Sequence, residues 1–259
     1  YEGQQLCEIW GYVVDGYFKT DEEARNYKVD QSFVNQMINA SALDNGLHAG
    51  DLKFVDLDGN NKIEQTTSAN DRKDMKVIGN SLPRYNYNFG ISADWYGIDF
   101  SVLFQGIGKQ NWYPGAETSM FWGPYSRPYA SFIPSDFMSQ VWSEENTNAY
   151  FPRPRGYVAL GSNRELAVVN TKYLQNLAYC RLKNLSIGYT LPDKWLSKIG
   201  FEKIRVYFSG ENLLTFTKLH SDYIDPEQAS ASNSWKTSKS DANIYPWAKT
   251  YSFGVDITF

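Results

Sequence analysis

The final segment of the chain alternates without interruption between two kinds of side chain. Tyr251, Phe253, Val255, Ile257 and Phe259 fall on one face, and Ser252, Gly254, Asp256 and Thr258 fall on the other. A period of two predicts a β-strand, because successive side chains of a strand point to opposite faces. A strand with one apolar face that ends on an aromatic residue is typical of an outer-membrane barrel, whose outer face meets lipid and inner face meets water.

A long hairpin shows the same pattern. Residues 84–96 alternate between apolar and polar positions, and the alternation resumes over 98–107 after a Tyr96-Gly97 turn. The first strand exceeds the roughly 5–6 residues of an average strand and suits a tilted membrane crossing of about 9–11 residues. Aromatic residues at both ends of it match the two girdles of such barrels. A long hairpin of a soluble β-sandwich is the alternative.

Three further strands are predicted, over 173–191, 201–214 and 247–259. The alternation changes phase within the first of them, which predicts a β-bulge near Lys183-Asn184. Residues 192–200 form a turn or one helical turn, whereas the loops 108–172 and 215–246 are long. Short turns on one side and long loops on the other are typical of a barrel. Five strands cannot close one, so residues 84–259 are predicted to be the last strands of a larger antiparallel all-β transmembrane barrel with long extracellular loops.

The alternation also assigns the two faces. The lipid face is predicted to carry Tyr85, Phe89, Phe100, Val206, Phe253 and Ile257. A wet lumen is predicted to be lined by Asn86, Asp99, Arg205 and Asp256.

Residues 1–83 are predicted to be an extracellular loop region with a helix over 20–42 and a calcium loop. Oxygen-bearing groups follow the spacing of an EF-hand: Asp56, Asp58, Asn60, the Lys62 carbonyl and Glu64. Two positions depart from that pattern. Asn61 stands where glycine is usual, and Thr67 stands where the bidentate glutamate belongs, so Asp71 or Asp74 would have to supply that ligand. An Asp/Asn-rich turn capped by its own side chains is the alternative.

The loop 108–172 holds the candidate contact residues for a substrate or a lid protein. They are two tryptophans, two tyrosines and two arginines: Trp112, Trp122, Tyr113, Tyr125, Arg153 and Arg155. Exposed aromatic rings grouped with arginine are enriched at binding hot spots. Anchoring at the lipid interface is the alternative for any single tryptophan of this group.

Composition excludes several classes of protein. The 259 residues are 42% hydrophobic and 16% aromatic, with a mean hydropathy of −0.50 and a net charge of −4. No apolar run reaches the roughly 18 residues of a spanning helix, and the scattered basic residues indicate no nucleic-acid partner. The first residues do not form a signal peptide, so the chain is expected to be either a mature protein or the tail of a longer one. Cys7 and Cys180 do not decide for or against a disulfide.

No catalytic motif accompanies this pattern. The sequence has no nucleophile elbow, phosphate loop or zinc-protease motif. His48 and His220 are isolated loop histidines, and Asp222 and Asp225 are expected to be solvated rather than a glycosidase pair. The sequence therefore predicts a protein that is not an enzyme.

Several stretches, in order along the chain, resemble the C-terminal portion of SusC/RagA-type TonB-dependent transporters. They are EGQQL at 2–6, GY at 11–12, DGYF at 15–18, GDLKFVDLD at 50–58, VIGN at 77–80 with LP at 82–83, FSVLFQG at 100–106, RLKNLSIGYTLP at 181–192, GENLLT at 210–215 and TYSFGVDITF at 250–259. The loop between Ile63 and Val77 is longer than is usual in that family.

The resemblance implies a 22-stranded barrel with an internal plug in the outer membrane of a Gram-negative bacterium. Such a protein imports oligosaccharides or peptides, takes energy from TonB through an N-terminal part, and works with a SusD-like surface lipoprotein. The alternative is a secreted, soluble, carbohydrate-binding β-sandwich whose loop aromatics stack on sugars.

Overall fold

The computed structural model describes residues 2–34, 46–66, 68, 70–126, 133–154, 157–161, 164–196, 200–232, 239–240 and 245–259. The strands in these ranges are β1 (Glu8–Tyr12), β2 (Val14–Tyr17), β3 (Leu52–Phe54), β4 (Met75–Asn80), β5 (Arg84–Trp95), β6 (Ile98–Lys109), β7 (Asn111–Pro114), β8 (Gln175–Asn176), β9 (Tyr179–Thr190), β10 (Lys203–Thr217), β11 (Lys239–Ser240) and β12 (Thr250–Thr258). The α-helices are α1 (Asp21–Arg25), α2 (Ser119–Trp122), α3 (Asp193–Leu196) and α4 (Pro226–Ser232). Among the described residues no helix is both long and apolar enough to cross a membrane.

The five long strands form one antiparallel sheet in the order β12-β10-β9-β6-β5. Its cross-strand pairs separate the two faces as predicted. One row of directly opposed residues is apolar: Phe100, Ile187, Phe208 and Phe253. The neighbouring row is polar or small: Asp99, Gly188, Tyr207 and Gly254. The apolar face is uncovered within the described chain, since Phe253 is 82% exposed and Phe89 50% exposed.

The predicted bulge is present. Leu103 pairs with Asn184 and Phe104 with Leu182, so Lys183 is an extra residue in β9. The bulge brings Leu182 and Leu185 onto the same apolar face although their positions differ by an odd number.

Short and long connections leave opposite ends of the sheet. The Tyr96-Gly97 turn joins β5 to β6, and the connection that contains α3 joins β9 to β10. Lys203 pairs with Thr258 at that end, whereas Thr217 pairs with Tyr179 at the other. The connections 110–178 and 218–249 therefore begin and end on the side opposite the short turns.

The hydrophobic core lies outside the sheet. It joins residues of three segments, which we call the loop core: Tyr12, Tyr17, Val34, Leu52, Phe54 and Ile63 from the N-terminal region; Trp112, Tyr113, Phe121, Trp122, Tyr125, Phe137, Val141, Trp142, Ala149, Phe151, Ala159, Leu160, Leu166, Val168, Tyr173 and Leu177 from the first long connection; and Leu219, Ile224 and Ala229 from the second. The long connections are therefore packed against the N-terminal region.

The helix predicted over 20–42 is much shorter in the structure. Thr20 caps α1, with its Oγ1 accepting from the Glu23 N–H at 3.1 Å, but the helix ends at Arg25. The chain then runs along β3, where the Gln31 amide donates to the Leu52 carbonyl at 2.8 Å. This tertiary contact outweighs the helical periodicity. Residues 35–42 of the predicted helix lie outside the described residues.

Candidate functional site

The four aromatic residues predicted to be exposed are buried instead. Trp112, Tyr113 and Trp122 are 0% exposed and Tyr125 is 1% exposed. Their polar atoms are satisfied internally, because Trp122 Nε1 donates to the Gly115 carbonyl at 2.9 Å and Tyr125 Oη to the Pro152 carbonyl at 2.7 Å. The expected exposure is wrong, because these rings pack on one another rather than on a ligand. A role for the surrounding surface in cargo or lid contact stays a prediction.

Arg153 joins two segments of the molecule. Its guanidinium donates to the carboxylate of Asp51, which is fully buried and also accepts from the His48 N–H at 3.0 Å. Gly50 leaves room for Arg153, since a Cβ there would lie 2.8 Å from Arg153 Cβ and 2.6 Å from the Trp142 ring. Arg153 therefore holds the N-terminal region against the first long connection. Arg155 lies outside the described residues.

The predicted calcium loop is closed by its own side chains. Asp56 accepts from the N–H groups of Gly59 and Asn61, both at 2.7 Å, and Asp58 Oδ1 accepts from the Asn60 N–H at 3.1 Å. Asn61 has a φ of 61°, the left-handed conformation that an EF-hand gives to glycine and that asparagine tolerates. The hydrogen bonds thus support the self-capped turn. The left-handed conformation of Asn61 also matches the backbone conformation of a calcium loop at this position.

Asp74 supplies a third carboxylate to this loop. It is fully buried, and its oxygens accept from the N–H groups of Leu57 at 2.9 Å and Glu64 at 2.7 Å. One carboxylate oxygen each from Asp56, Asp58 and Asp74 lies within 4.8 Å of the others. Burial, with the nearby charges of Asp58 and Asp56, raises the pKa of Asp74. Of the two candidates for the missing ligand, the structure places Asp74 at the cluster. Three convergent oxygen donors fit a hard cation such as Ca²⁺.

Glu64 is engaged differently from the prediction. Its carboxylate pairs with Lys62 Nζ at 3.3 Å and with Lys73 Nζ at 3.5 Å, and these lysines lower its pKa. Sequence spacing could not show the contact with Lys73, which lies nine positions further along the chain.

A second feature, which the sequence did not indicate, lies between the two long connections. His220 stacks on Tyr150 with 3.4 Å between ring centroids, and its Nε2 lies 2.7 Å from Gln140 Oε1. A pocket of about 80 Å³ beside it, which we call the His220 pocket, is lined by Met120, Phe121, Pro134, Asp136, Phe137, Gln140, Phe151, His220, Ser221, Asp222 and Tyr223.

Asp225 is not solvated, contrary to the sequence-based expectation. It is 7% exposed, and its Oδ2 accepts from Arg181 Nη2 at 2.6 Å. Arg181, on β9, also donates to Glu227 of α4 at 2.7 Å and to Thr215 at 2.9 Å. This network attaches the second long connection to the polar face of the sheet, so Asp225 is held in an ion pair rather than facing solvent beside Asp222.

Comparisons with known proteins agree with this architecture. No protein-family model matches the chain. The TonB-dependent receptor P3 of Formosa agariphila is 28% identical over 264 residues, which cover 100% of this chain and 22% of that receptor. The TonB-dependent receptor P39 of the same organism is 25% identical over 283 residues, which cover 100% of this chain and 25% of the receptor. The predicted resemblance to TonB-dependent transporters of the SusC/RagA type is confirmed. The predicted location in the outer membrane of a Gram-negative bacterium is confirmed with it.

Solved structures show the same fold. The RagAB peptide importer in its open-open state matches with a TM-score of 0.56 and 20% identity, covering 97% of this chain and 22% of that chain. Its closed-closed state matches with a TM-score of 0.55 and 17% identity, covering 97% of this chain and 23% of that chain. The chain therefore spans about a quarter of the length of the proteins it resembles. These relatives are described as receptors and importers rather than enzymes.

Proposed function

We propose that the chain is the C-terminal segment of a TonB-dependent outer-membrane importer that takes up oligosaccharides or peptides. In this proposal the five long strands are part of a closed, 22-stranded barrel with a plug. TonB supplies energy through the N-terminal part, and a SusD-like surface lipoprotein covers the mouth. The short turns face the periplasm and the loop core faces the exterior.

The observation that carries this proposal is a sheet without a core beneath it. Its apolar face is uncovered, although large side chains such as Phe253 and Trp95 lie on it. Its edge strands β5 and β12 each pair on one side only within the described chain. A soluble sandwich would bury the apolar face against a second sheet, whereas a barrel wall turns that face to lipid and pairs both edges.

The experiment is deletion of the gene for the full-length transporter, followed by growth on peptides or on oligosaccharides as the sole nutrient. We expect growth to fail on one of these two classes and to return with the gene. Growth on free amino acids and monosaccharides is the control, because small solutes do not need a dedicated importer. Unchanged growth on every polymer, together with recovery of the protein in the soluble fraction, would favour the secreted sandwich.

We also propose that the loop 56–64, together with Asp74, binds one Ca²⁺ ion. Asp56, Asp58 and Asp74 would supply carboxylate oxygens, with further oxygens from Asn60, the Lys62 carbonyl and Glu64. The support is the convergence of three carboxylates within 4.8 Å, which repel one another unless a proton or a cation is bound. The ion would fix the turn that follows β3 on the surface of the loop core.

Calorimetry on the full-length transporter tests the calcium site. We expect Ca²⁺ to bind at up to millimolar concentration, and both Asp58→Asn and Asp74→Asn to weaken binding at least tenfold, in line with loss of a charged ligand. Asp71→Asn is the matched control, because Asp71 lies near the loop but outside the cluster. Equal weakening by Asp71→Asn, or no heat of binding in the unaltered protein, would leave only the self-capped turn.

A further inference from the structure

The His220 pocket has a place in the fold that none of the roles above explains. Phe121, Asp136, Gln140 and Phe151 of the first long connection form one side, and residues 220–223 of the second form the other. Ser221 Oγ ties the two sides together by donating to the Met120 carbonyl at 2.9 Å. Both connections leave the end of the sheet opposite the short turns, so the pocket opens on the side assigned to the exterior.

The floor of the pocket is apolar. Phe121 is 2% exposed, Phe137 is 3% exposed and Phe151 is 1% exposed. The rings of Phe137 and Phe151 stack with 4.7 Å between their centroids. Because these side chains are packed in the loop core, the floor is already formed without a ligand.

The rim of the pocket is polar and negatively charged. Asp136 and Asp222 are exposed at the rim, and the exposed fraction of Tyr223 is 43%. Among the described residues that line the pocket, none is lysine or arginine. Burial lowers the pKa of His220. Lys172 also lowers it, whereas Asp222 and Asp136 raise it, and the net shift favours the neutral imidazole. The two carboxylates therefore face the opening without a cation in the wall.

We propose that the His220 pocket binds the ammonium or guanidinium end of a lysine or arginine side chain. The aliphatic stem would lie on Phe121 and Phe151, and the charge would lie between Asp136, Asp222 and the Tyr223 ring. A volume of about 80 Å³ suits the end of one side chain. The proposal rests on the import function, since that side chain belongs to peptide cargo or to the surface lipoprotein.

The test compares two blocked peptides that differ in one charge. N-acetyl-Ala-Lys-Ala-amide and its norleucine analogue are titrated into the full-length transporter and followed by ligand-observed NMR. We expect the lysine peptide to bind about tenfold more tightly than the analogue, in line with exposed ion-pair and cation–π energies. We expect Asp136→Asn with Asp222→Asn to abolish that preference.

Glu144→Gln with Glu145→Gln is the matched control, because it removes two charges from exposed positions of the same connection outside the pocket. This pair should keep the lysine preference. A transporter without the preference, or one in which both pairs of substitutions remove it equally, overturns the proposal. Neither result depends on growth, so a failure of the import function is recognised separately.

A second arm of the test identifies the source of the cation. The lysine peptide is added in excess to the transporter that has been copurified with its surface lipoprotein. Release of the lipoprotein by the lysine peptide, but not by the analogue, assigns the pocket to a partner side chain. Retention of the lipoprotein while the peptide binds assigns it to cargo.

Discussion

At the scale of single residues, one ion pair crosses a strand of the sheet and needs a glycine beneath it. Arg205 on β10 binds Asp99 on β6 in a bidentate manner, at 2.8 and 2.6 Å, although β9 lies between them. Gly188 of β9 leaves the room, since a Cβ at that position would lie 2.4 Å from Asp99 Oδ1 and 2.6 Å from Arg205 Nε. The guanidinium also reaches Asp256 on β12 at 3.1 Å. Arg205 therefore links β10 to both β6 and β12, and its ion pair with Asp99 crosses β9 above Gly188.

Gly188→Ala is expected to destabilise the full-length transporter by about 1–3 kcal/mol, because the added methyl group must displace the ion pair. The measurement is the free energy of unfolding in lipid vesicles. In an Asp99→Ala, Arg205→Ala background the same substitution should cost much less, since its clashing partners are gone. An equal cost in both backgrounds would show that Gly188 is needed for another reason, such as backbone conformation.

Asp74 is expected to give the loop 56–64 a distinct dependence on pH. Its pKa is raised in the folded protein, so the calcium-free folded state holds this proton more tightly than the unfolded state does. Stability from Asp74 is therefore present below the unfolded carboxyl pKa of about 3.9 and is lost as the pH rises through the raised value. Calcium bound at the proposed site would reverse the sign, because it would bind the deprotonated carboxylate.

Thermal unfolding between pH 4.5 and 7.5 checks this expectation. Without calcium, the difference in stability between the unaltered protein and Asp74→Asn should fall as the pH rises, and with saturating calcium it should grow. The comparison with Asp74→Asn is necessary because the pKa of Glu64 shifts the opposite way, lowered by Lys62. The same slope with and without calcium would contradict the site.

At the scale of elements, the two faces of the sheet should tolerate charge differently. Val206 lies on the apolar face opposite Val255, and Ser209 lies on the polar face opposite Ser252. Val206→Arg is expected to cost about 2–4 kcal/mol of refolding free energy if the apolar face meets lipid near the middle of the membrane, and Ser209→Arg much less. Equal costs for the two arginines would refute the assignment of lipid and lumen.

The strands show how much of the fold can be predicted from the sequence. Strict alternation located β5, β6, β10 and β12, and the odd spacing of Leu182 and Leu185 located the bulge, because a pleated strand has only one period. The start of the strand predicted over 173–191 was wrong, since β9 begins at Tyr179 and Tyr173 belongs to the loop core. Periodicity cannot reveal that a ring packs on residues distant in the sequence.

The candidate site was predictable only where its chemistry is local. Asp56, Asp58 and Asn60 were found because a turn motif places them within a few positions. The ion pair of Arg153 with Asp51 joins residues 102 positions apart. The ring of Trp122 packs on Tyr173, which lies far beyond the reach of a local motif. Composition alone cannot distinguish a binding surface from a core, because both are rich in aromatic rings.

At the scale of the whole molecule, the described residues form two distinct parts: a five-stranded sheet whose apolar face they leave uncovered, and a hydrophobic core built mainly from loops. Trp122 lies at 0% exposure in the loop core and contacts the rings of Tyr113, Phe121 and Tyr173. Trp122→Ala should therefore destabilise the loop core by roughly 3–5 kcal/mol while the strands remain inserted.

Limited proteolysis of the full-length transporter in membranes checks this separation. We expect Trp122→Ala to expose cleavage sites within 110–178 and 218–249 and to leave the strand segments protected. Trp195→Ala is the control, since Trp195 is 54% exposed in α3 at the opposite end. Cleavage within the strands as well would mean that the loops and the sheet unfold as one unit.

The two open edges of the sheet constrain the order of events during biosynthesis. The outer sides of β5 and β12 present backbone N–H and C=O groups that have no strand partner in the described chain. Hydrocarbon cannot hydrate such groups, so these five strands have no stable resting place in a bilayer by themselves. If these strands entered the membrane before the remaining strands of the proposed barrel, their unpaired backbone groups would oppose insertion. If they stayed in water, β5 and β12 would be two exposed edges prone to aggregation. If the five strands belong to the proposed barrel, we therefore expect entry into the membrane and closure of the barrel to occur in a single coordinated step.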